Sequence, residues 1–538
     1  MLKLPPGGGY TVARAGVPMR DGVVLLADHY APVSAARGTL LVRGPYGRGF
    51  PFSLLFARIY AARGYHVVVQ SVRGTFGSGG VFEPTVNEAA DGADTVVWLR
   101  RQPWFTGSFG TIGLSYLGFT QWALLVDPPP ELAAAVIAVG PHDFSESAWS
   151  TGSFTLNDFL GWSDLMAHQE VGGRVRAGIR QLTARHRLRR ATAGLPLGAA
   201  GRALLDSGAP WYESWVEHPD LDDPFWGRYQ LGAALDRVAV PVLLLGGWQD
   251  LFLGQTLLQY RRLRDRGVDV ALTIGPWAHV QVLTNGLGTV TRESLDWLET
   301  HLAGAASCRP SRVRVFRTGS KDRDWCELPD WPPPTSPRTW YLQPGGELAP
   351  TPPTAAATSV PASFRYDPAD PTPTVGGRML SPDAGYRDDG RLARRDDVLS
   401  FTGEVLAQDV YVSGNPVVEL AHTADNPHVD LFVRVSEVDA GGRSRNVSDG
   451  YRRLGDSAGA VRVELDAIAH RFTTGSRIRL LIAGGCHPRY ARNLGAGEPP
   501  VSGARLQPAT HTVHFGGSRL VLPVAEPVAT ARAPRRRP

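Results

Sequence analysis

The sequence has few cysteines, almost no lysine and no long apolar run, and each scarcity excludes a class of protein. Its three cysteines, Cys308, Cys326 and Cys486, are too few and too scattered along 538 residues for a disulfide framework or a cysteine zinc site. No apolar run reaches the roughly 18 residues that span a membrane, and the N-terminal stretch has no apolar region typical of a secretion signal. We therefore expect a cytoplasmic protein without a membrane partner.

The scarcity of lysine shows that the positive charge is not a nucleic-acid signature. Of 56 basic residues only Lys3 and Lys321 are lysines, and the arginines behind the net charge of +5 are spread among acids. The one dense basic run, "RAPRRRP", ends the chain, and we expect residues 528–538 to form a disordered basic tail. We therefore expect no nucleic-acid partner.

Motifs for metals and nucleotides are missing as well. The sequence contains no His-Glu-x-x-His and no paired cysteines, and the three glycines at residues 7–9 follow no strand pattern. We therefore expect neither a metal nor a cofactor.

Apolar runs and helical patterns alternate over the first 140 residues. Runs such as "TLLVRG" and "YHVVVQS" are typical of strands buried on both faces, and strands of this kind separated by helices indicate a parallel sheet. The alternation stops near residue 143 and resumes near Pro241. The sequence thus predicts an α/β domain formed by residues 1–142 and 237–330, interrupted by a helical cap insertion at residues 143–236.

The second part of the chain has a different pattern of apolar and turn-forming residues. After a proline-rich linker at residues 331–337, short alternating stretches such as "VDLFVRVSEVD" are separated by Gly, Pro, Asp and Asn. This spacing predicts a β-sandwich at residues 338–527. The expected fold class is α/β with an inserted helical cap and a C-terminal β-sandwich, which fits the two or three domains expected from the length.

The segment "GTIGLSYLGFTQW" carries a candidate nucleophile at the transition from strand to helix. Ser115 lies between Gly113 and Gly118, and the helix beginning at Tyr116 directs its positive dipole end at the serine oxygen. The motif departs from the usual Gly-x-Ser-x-Gly, because Leu117 takes the second small position. A serine in such a turn can also have a purely structural role. Whether it is a nucleophile depends on the presence of the partner residues that a nucleophile needs.

Two further strand ends carry the partners that a serine nucleophile needs. The run "VLLLGGWQD" delivers Asp250 and the run "ALTIGPWAH" delivers His279, in the order Ser, acid, His that α/β-hydrolases use. Taken alone, Asp250 is also compatible with an ordinary helix N-cap, and His279 fits an incidental surface histidine equally well. Because all three residues follow strands in the required order, the sequence favours a catalytic triad.

The oxyanion of an acyl-transfer reaction needs two donors. The backbone N–H of Tyr116, the residue after the nucleophile, is one candidate. The other is expected in the loop "GPYGRGF", where Tyr46 offers either its backbone N–H or its phenol. Simple packing is the alternative role of Tyr46.

Taken in chain order, several segments resemble the cocaine-esterase-like (CocE/NonD) hydrolases, relatives of X-prolyl dipeptidyl aminopeptidases and α-amino-acid ester hydrolases. They include "VPMRDGVVLLADHYAP", "RGPYGR", "GLSYLGFTQW", "GGWQDLF", "IGPWAH" and "YDPADPTPTVGG". The resemblance implies an α/β-hydrolase domain with a helical cap and a C-terminal jelly roll. It also implies Ser115 as nucleophile, His279 as general base and Asp250 as orienting acid, with the Tyr46 phenol joining the Tyr116 N–H in the oxyanion hole.

The same resemblance implies pocket walls at Trp162 and Phe252, for which plain core packing is the alternative. The sequence also departs from the family pattern. Ser71 stands where an acid often precedes the Arg-Gly pair, which leaves the partner of Arg73 open. Gln249 stands where a tyrosine is frequent, and we expect this to affect the size of the pocket.

The predicted function is a serine hydrolase that cleaves a small-molecule ester or amide through an acyl-enzyme. Alternatives are an acyltransferase, a carbohydrate-binding protein with a vestigial hydrolase domain, and an X-Pro-type dipeptidyl aminopeptidase. The oligomeric state stays open, with a homodimer among the options. The peptidase alternative requires a carboxylate that binds a free ammonium group, for which the cap offers four acids: Glu146, Asp158, Asp164 and Glu170.

Overall fold

Two β-sheets of different character organise the chain. The computed structural model describes residues 7–170, 174–206, 208–319, 324–356, 358–455 and 458–527. The predicted basic tail at residues 528–538 lies outside the described residues. The first sheet carries the candidate nucleophile and its partners, whereas the second forms the C-terminal β-sandwich.

Ten strands among the described residues form the first sheet. They are β1 (Tyr10–Pro18), β2 (Val24–Pro32), β3 (Gly38–Gly44), β4 (Tyr65–Ser71), β5 (Phe109–Leu114), β6 (Leu132–Ala138), β7 (Val242–Gln249), β8 (Val270–Ala278), β9 (Val313–Phe316) and β10 (Trp325–Leu328). Their spatial order is β1-β2-β4-β3-β5-β6-β7-β8-β9-β10, and all neighbours from β4 to β9 are parallel. Every residue of β3, β5 and β7 is buried, because helices cover both faces.

The edges of this sheet are antiparallel. At one edge β1 and β2 form a hairpin that pairs with β4, and at the other β10 pairs with β9. The sequence predicts a last strand at "SRVRVFRTG", which is β9, but it misses β10. A four-residue strand next to a proline-rich stretch gives too short an alternation to be recognised.

Helices flank the parallel strands and fill the segment between β6 and β7. They are α1 (Ile59–Ala61), which continues a π-helical turn, α2 (Glu88–Leu99), α3 (Tyr116–Leu124), α4 (Phe144–Trp149), α5 (Leu156–His168), α6 (Arg174–Ala193), α7 (Leu197–Leu205), α8 (Trp211–Glu217), α9 (Gly232–Arg237), α10 (Leu253–Asp265) and α11 (Leu287–His301). Helices α4 to α9 occupy the stretch that the sequence predicts as a cap. Among the described residues, no helix is both long enough and apolar enough to cross a bilayer.

Twelve further strands of the described chain form the sandwich. They are β11 (Thr335–Gln343), β12 (Glu347–Ala349), β13 (Ala362–Tyr366), β14 (Val398–Gly403), β15 (Val410–Gly414), β16 (Val417–Ala424), β17 (Val429–Val438), β18 (Ser444–Leu454), β19 (Ala458–Glu464), β20 (Ile468–Phe472), β21 (Arg477–Ala483) and β22 (Ala509–Ala525). The long strand β22 pairs with β11, β13, β15 and β16 and so connects the layers. The predicted fold class is confirmed.

The sandwich packs directly against the α/β part. Ala467 and Ala469 of the sandwich belong to the same apolar core as strands β6 to β8, and Trp331 packs on Trp248 with ring centroids 5.1 Å apart. Near α5, the backbone N–H of Asn157 donates to the carbonyl of Pro488. These contacts place one loop of the sandwich at the edge of the sheet where β5, β7 and β8 end.

Candidate active site

The turn that carries Ser115 is strained, and small neighbours make the strain possible. Ser115 joins β5 to α3 with φ 55° and ψ −124°, a conformation that non-glycine residues rarely adopt. A Cβ atom at Gly113 would lie 2.5 Å from the Cβ of Leu117, so only glycine fits there. The sharp turn leaves the half-buried serine at the end of the strand, pointing away from the core.

The structure explains why the second glycine of this motif comes one residue late. A Cβ atom at Gly118 would lie 2.6 Å from the Cα of Gly140, so this glycine allows α3 to approach the end of β6. The side chain of Leu117 instead fills the space over Gly44, where a Cβ atom would lie 2.4 Å from the Leu117 Cδ1. Gly44 of β3 therefore makes room for the larger side chain of Leu117.

The three predicted triad side chains lie in direct contact. The Nε2 of His279 is 2.9 Å from the Oγ of Ser115, and its Nδ1 is 2.6 Å from the Oδ1 of Asp250. Both distances are those of hydrogen bonds, and the second is as short as a charge-assisted bond. His279 is 6% exposed and Asp250 is fully buried, so water does not compete for these contacts.

Asp250 is held by donors on both carboxylate oxygens. Its Oδ2 accepts a hydrogen bond from the backbone N–H of Phe252 at 2.9 Å, while its Oδ1 faces His279. The ring of Phe252 packs edge-on against the imidazole, with centroids 5.4 Å apart. These contacts fix the orientation of the imidazole: Nδ1 faces the Asp250 carboxylate as a hydrogen-bond donor, and the lone pair of Nε2 faces the Ser115 hydroxyl.

Tyr46 and Trp162 lie in the same pocket as Ser115. The indole N–H of Trp162 donates to the Tyr46 hydroxyl at 2.9 Å. Burial raises the pKa of Tyr46 to about 12, so the phenol keeps its proton at neutral pH. Because the oxygen accepts from the indole, the O–H of Tyr46 remains available as a donor to a group in the pocket. The N–H of Tyr116, the first residue of α3, has no acceptor within the helix.

A buried polar network that the sequence did not reveal supports Tyr116. Its hydroxyl donates to Glu88 at 2.8 Å and accepts the backbone N–H of Thr85 at 2.7 Å. Glu88 in turn forms an ion pair with Arg43 at 3.1 Å. Burial raises the pKa of Glu88, and the Arg43 charge opposes this shift. Nothing in the local sequence marks Glu88, because its partners Arg43 and Tyr116 come from two separate segments, β3 and α3.

The candidate pocket opens beside Ser115 and measures about 450 Å³ including its open mouth. Trp162 and Phe252 both line it, as the resemblance implies. Five further lining residues were not predicted as walls: Phe144, Asp158, Phe159, Leu251 and Leu380. The last of these comes from beyond the linker, so the sandwich completes the pocket.

The departures from the family pattern have structural explanations. Arg73 forms ion pairs with Asp91 at 2.6 Å and with Asp21 at 2.7 Å, which identifies its partners. Ser71 accepts a hydrogen bond from Arg48 at 2.5 Å. The expectation that Gln249 alters the pocket is wrong: its amide donates to a carbonyl of β18, and it is absent from the described lining, because strand β7 directs it toward the sandwich.

Of the four acids considered for an ammonium site, Asp158 alone lines this pocket. Glu146 lines an adjoining cavity, and Asp164 pairs with Arg187 at 3.1 Å. Glu170 is exposed and accepts the backbone N–H of Phe76.

Comparisons with known proteins agree with this architecture. A family model for X-Pro dipeptidyl-peptidase (S15 family) matches residues 21–281, and one for the X-Pro dipeptidyl-peptidase C-terminal non-catalytic domain matches residues 306–520. A cocaine esterase from Rhodococcus sp. (strain MB1 Bresler) is 30% identical, over 96% of this chain and 99% of the esterase.

Two solved structures share the whole fold. An aminopeptidase from a marine sediment archaeon, Thaumarchaeota archaeon, has a TM-score of 0.82, and an α-amino-acid ester hydrolase has a TM-score of 0.81. In each case 96% of this chain and 97% of the other chain are covered at 23% identity. At that identity the likeness concerns the fold alone.

Proposed function

The chain belongs to the CocE/NonD hydrolases of the X-Pro dipeptidyl-peptidase (S15) family, and on this basis we propose that it cleaves a small-molecule ester or amide through a serine acyl-enzyme. The observation that carries the proposal is the unbroken chain of contacts from Ser115 to His279 to Asp250, at 2.9 and 2.6 Å. A strained turn holds the serine at the start of this chain.

In the first step His279 acts as general base. Its Nε2 takes the Ser115 proton while the Oγ attacks the carbonyl carbon of the substrate. The imidazolium that forms is stabilised by Asp250, whose carboxylate is buried and already bonded to Nδ1. Collapse of the tetrahedral intermediate breaks the bond to the leaving group, which takes the proton from Nε2.

The negative charge on the carbonyl oxygen requires donors that are in place before the reaction. The phenol of Tyr46 and the backbone N–H of Tyr116 are the proposed pair. Trp162 orients the phenol through its indole N–H, and Glu88 anchors the Tyr116 side chain. In the second step, water deprotonated by His279 attacks the acyl-enzyme, and the serine is released with its proton restored.

Replacing the nucleophile tests the proposal. We expect Ser115→Ala to lower kcat for aryl esters by about 10⁴- to 10⁶-fold, because the remaining groups cannot form an acyl-enzyme. The measurement is a kinetic assay on aryl esters together with labelling by a fluorophosphonate probe. Thermal unfolding, expected to be unchanged in the variant, is the control.

Esterase activity retained in the Ser115→Ala variant would exclude Ser115 as the nucleophile. Absence of fluorophosphonate labelling in the unsubstituted protein would favour the carbohydrate-binding alternative.

Ester, amide and transfer reactions use the same groups, so a panel of aryl esters, X-Pro anilides and added amine nucleophiles separates them. Cytoplasmic location, the domain boundaries and the oligomeric state stay predictions.

A further inference from the structure

A second cavity lies where the cap meets the sandwich, and we call it the junction cavity. It measures about 920 Å³ including its open mouth. Its cap side includes Trp149 at the end of α4 and Leu195 and Leu197 near the start of α7, and its sandwich side includes residues 491–494. The described linings of this cavity and of the pocket of Ser115 have no residue in common. A cavity of this size suits a small organic molecule.

Arg492 brings to the junction cavity a positive charge that no described acid balances. Its terminal nitrogens donate to two backbone carbonyls, that of Pro368 at 3.1 Å and that of Ala193 at 2.6 Å. Its Nε is buried without an acceptor, and within the described part of the chain the guanidinium forms no ion pair. Burial lowers the pKa of Arg492. Because a carbonyl does not neutralise a cation, this half-buried guanidinium lacks a counter-charge, which is costly.

The other strongly charged groups of the lining are already paired. Arg453 donates two hydrogen bonds to Asp430, at 2.8 and 3.0 Å. Glu498, the one acid of the described lining, accepts two backbone N–H groups of its own loop at 2.8 and 3.0 Å and pairs with Arg505 at 3.4 Å. The unbalanced charge of the junction cavity is therefore that of Arg492.

Apolar side chains and two histidines line much of the remaining wall. Trp149 and Leu494 are buried, whereas His428 is exposed. Burial, together with the charge of Arg492, lowers the pKa of His487 to about 4, so its ring is neutral at neutral pH. The cavity thus offers one unbalanced cation beside apolar surface, which is the complement of an anion with an apolar body.

From this geometry we infer that the junction cavity binds a small organic carboxylate, whose oxygens accept from Arg492 and whose apolar body packs on Trp149 and the neighbouring leucines. Each terminal nitrogen of the guanidinium carries two hydrogens, and the bonds to the two carbonyls use one hydrogen on each nitrogen. Two N–H groups therefore remain for a carboxylate. The inference concerns a second site and does not depend on the proposed hydrolase activity.

Calorimetric titration at pH 7.5 with three ligands tests the inference. The ligand 3-phenylpropanoate supplies the charge and an apolar body, 3-phenylpropanamide supplies the body alone, and inorganic phosphate supplies the charge alone. We expect the carboxylate to bind at least about tenfold more tightly than the other two, because only the carboxylate forms a charge-assisted hydrogen bond and also covers the apolar wall.

A carboxylate is also the product of the proposed hydrolysis, so the catalytic pocket has to be excluded as the place of binding. The titration is therefore repeated on protein whose Ser115 carries a fluorophosphonate. We expect the dissociation constant of 3-phenylpropanoate to be the same in the blocked and the unblocked protein.

Arg492→Gln removes the charge but keeps an amide that can donate to a backbone carbonyl. We expect it to raise the dissociation constant of 3-phenylpropanoate by about 10- to 100-fold, the range of a lost charge-assisted hydrogen bond, and that of the amide by less than about threefold. Arg365→Gln is the matched control and should change neither, because Arg365 is exposed on β13 and lies outside the described lining.

His428→Glu tests the same charge without altering Arg492 or its contacts. Because His428 is exposed, we expect the variant to fold normally, which thermal unfolding checks. The added carboxylate repels an anionic ligand, so the dissociation constant of 3-phenylpropanoate should rise by about 3- to 10-fold while that of the amide stays the same.

The inference is overturned if the unsubstituted protein does not bind 3-phenylpropanoate, or if the two variants bind it as tightly as the unsubstituted protein does. Equal loss of carboxylate and amide binding in Arg492→Gln would show that Arg492 only supports the fold. Binding that disappears in the blocked protein would place the ligand in the catalytic pocket. Phosphate that binds as tightly as 3-phenylpropanoate would show that the apolar wall takes no part.

Failure of the proposed function has a different signature. If fluorophosphonate does not label the protein, the hydrolase proposal fails, but the comparison of Arg492→Gln and His428→Glu with the unsubstituted protein still decides whether the junction cavity binds the carboxylate.

Discussion

At the scale of single residues, the proposed chemistry depends on the surroundings of a few side chains. Ser115 is held in a conformation that its φ of 55° makes unfavourable, and Asp250 has both oxygens occupied by donors. Tyr46 is the least conventional member, because its hydroxyl accepts from an indole in the pocket that also contains the serine. The role of the Tyr46 phenol can be tested separately from that of the Tyr46 backbone N–H.

We expect Tyr46→Phe to lower kcat by roughly 10²- to 10³-fold, because one of two oxyanion donors is lost. KM should change little, since the ring and its stacking on Phe52, at 5.3 Å, are kept. Steady-state kinetics on an aryl ester checks this, with thermal unfolding as the control for folding. A kcat within about threefold of wild type would mean that the phenol is not the donor and would return the role to the Tyr46 backbone N–H.

At the scale of elements, the site forms where β5, β7 and β8 end at the same edge of the sheet. Parallel strands bring their carboxyl ends together, so residues 115, 250 and 279 converge although they are distant in sequence. The position of α3 is set by close backbone contact with the end of β6, at Gly118 and Gly140. This contact also sets the position of the Tyr116 N–H, which begins the helix.

Gly118→Ala should therefore disturb both stability and activity. The new Cβ would lie 2.6 Å from the Cα of Gly140, and because backbone cannot yield as a side chain can, we expect a loss of about 1–3 kcal/mol in the free energy of unfolding. Displacement of α3 should also lower kcat. Chemical denaturation and ester kinetics measure the two effects.

Gly232→Ala is the matched control for this substitution. Gly232 also lies in a helix, but a Cβ there meets no heavy atom within 4 Å. We expect it to be neutral or stabilising by less than about 1 kcal/mol, as alanine is the better helix former. If both variants behave alike, close packing of α3 on β6 does not control the site.

At the scale of the whole molecule, the α/β part and the sandwich are joined by apolar packing and by one pocket, and several buried histidines connect stability to pH. In the sandwich, the Nε2 of His422 lies 3.1 Å from the Nδ1 of His511. Burial, helped by the charge of His514, lowers the pKa of His422 to about 4. Burial and His422 lower the pKa of His511 to about 3. Burial also lowers the pKa to about 4 in three others: His29, His142 and His487.

We expect the free energy of unfolding to fall as the pH drops below about 6.5, the ordinary pKa of histidine. Between that pH and about 4, the unfolded chain binds protons that the folded chain does not, so acid favours unfolding, by up to about 2 kcal/mol per histidine at pH 5. Above pH 6.5 these residues should contribute no pH dependence. Urea denaturation at pH 7.5, 6 and 5 measures the slope.

A variant with both His422 and His511 replaced by glutamine provides the comparison. Its free energy of unfolding should depend less steeply on pH between 6.5 and 5, whatever its stability at pH 7.5. An unchanged slope would show that this pair titrates normally in the folded state.

The sequence by itself determined the fold class and the strand ends on which Ser115, Asp250 and His279 lie. These features are local, because burial on both faces leaves continuous apolar runs, and the turn after β5 requires glycine at position 113. The family resemblance implied Trp162 as a wall, but not that this indole donates to Tyr46.

Only the tertiary structure decided which side chains complete the site. Leu380 comes from beyond the linker, Glu88 meets Tyr116 from another helix, and one acid of four in the cap reaches the pocket. Such contacts depend on how separate segments pack, and the local pattern of a helix does not reveal which acid will be buried. The orientation of α5 against the sandwich loop makes Asp158 part of the pocket, because Leu380 holds its carboxylate there.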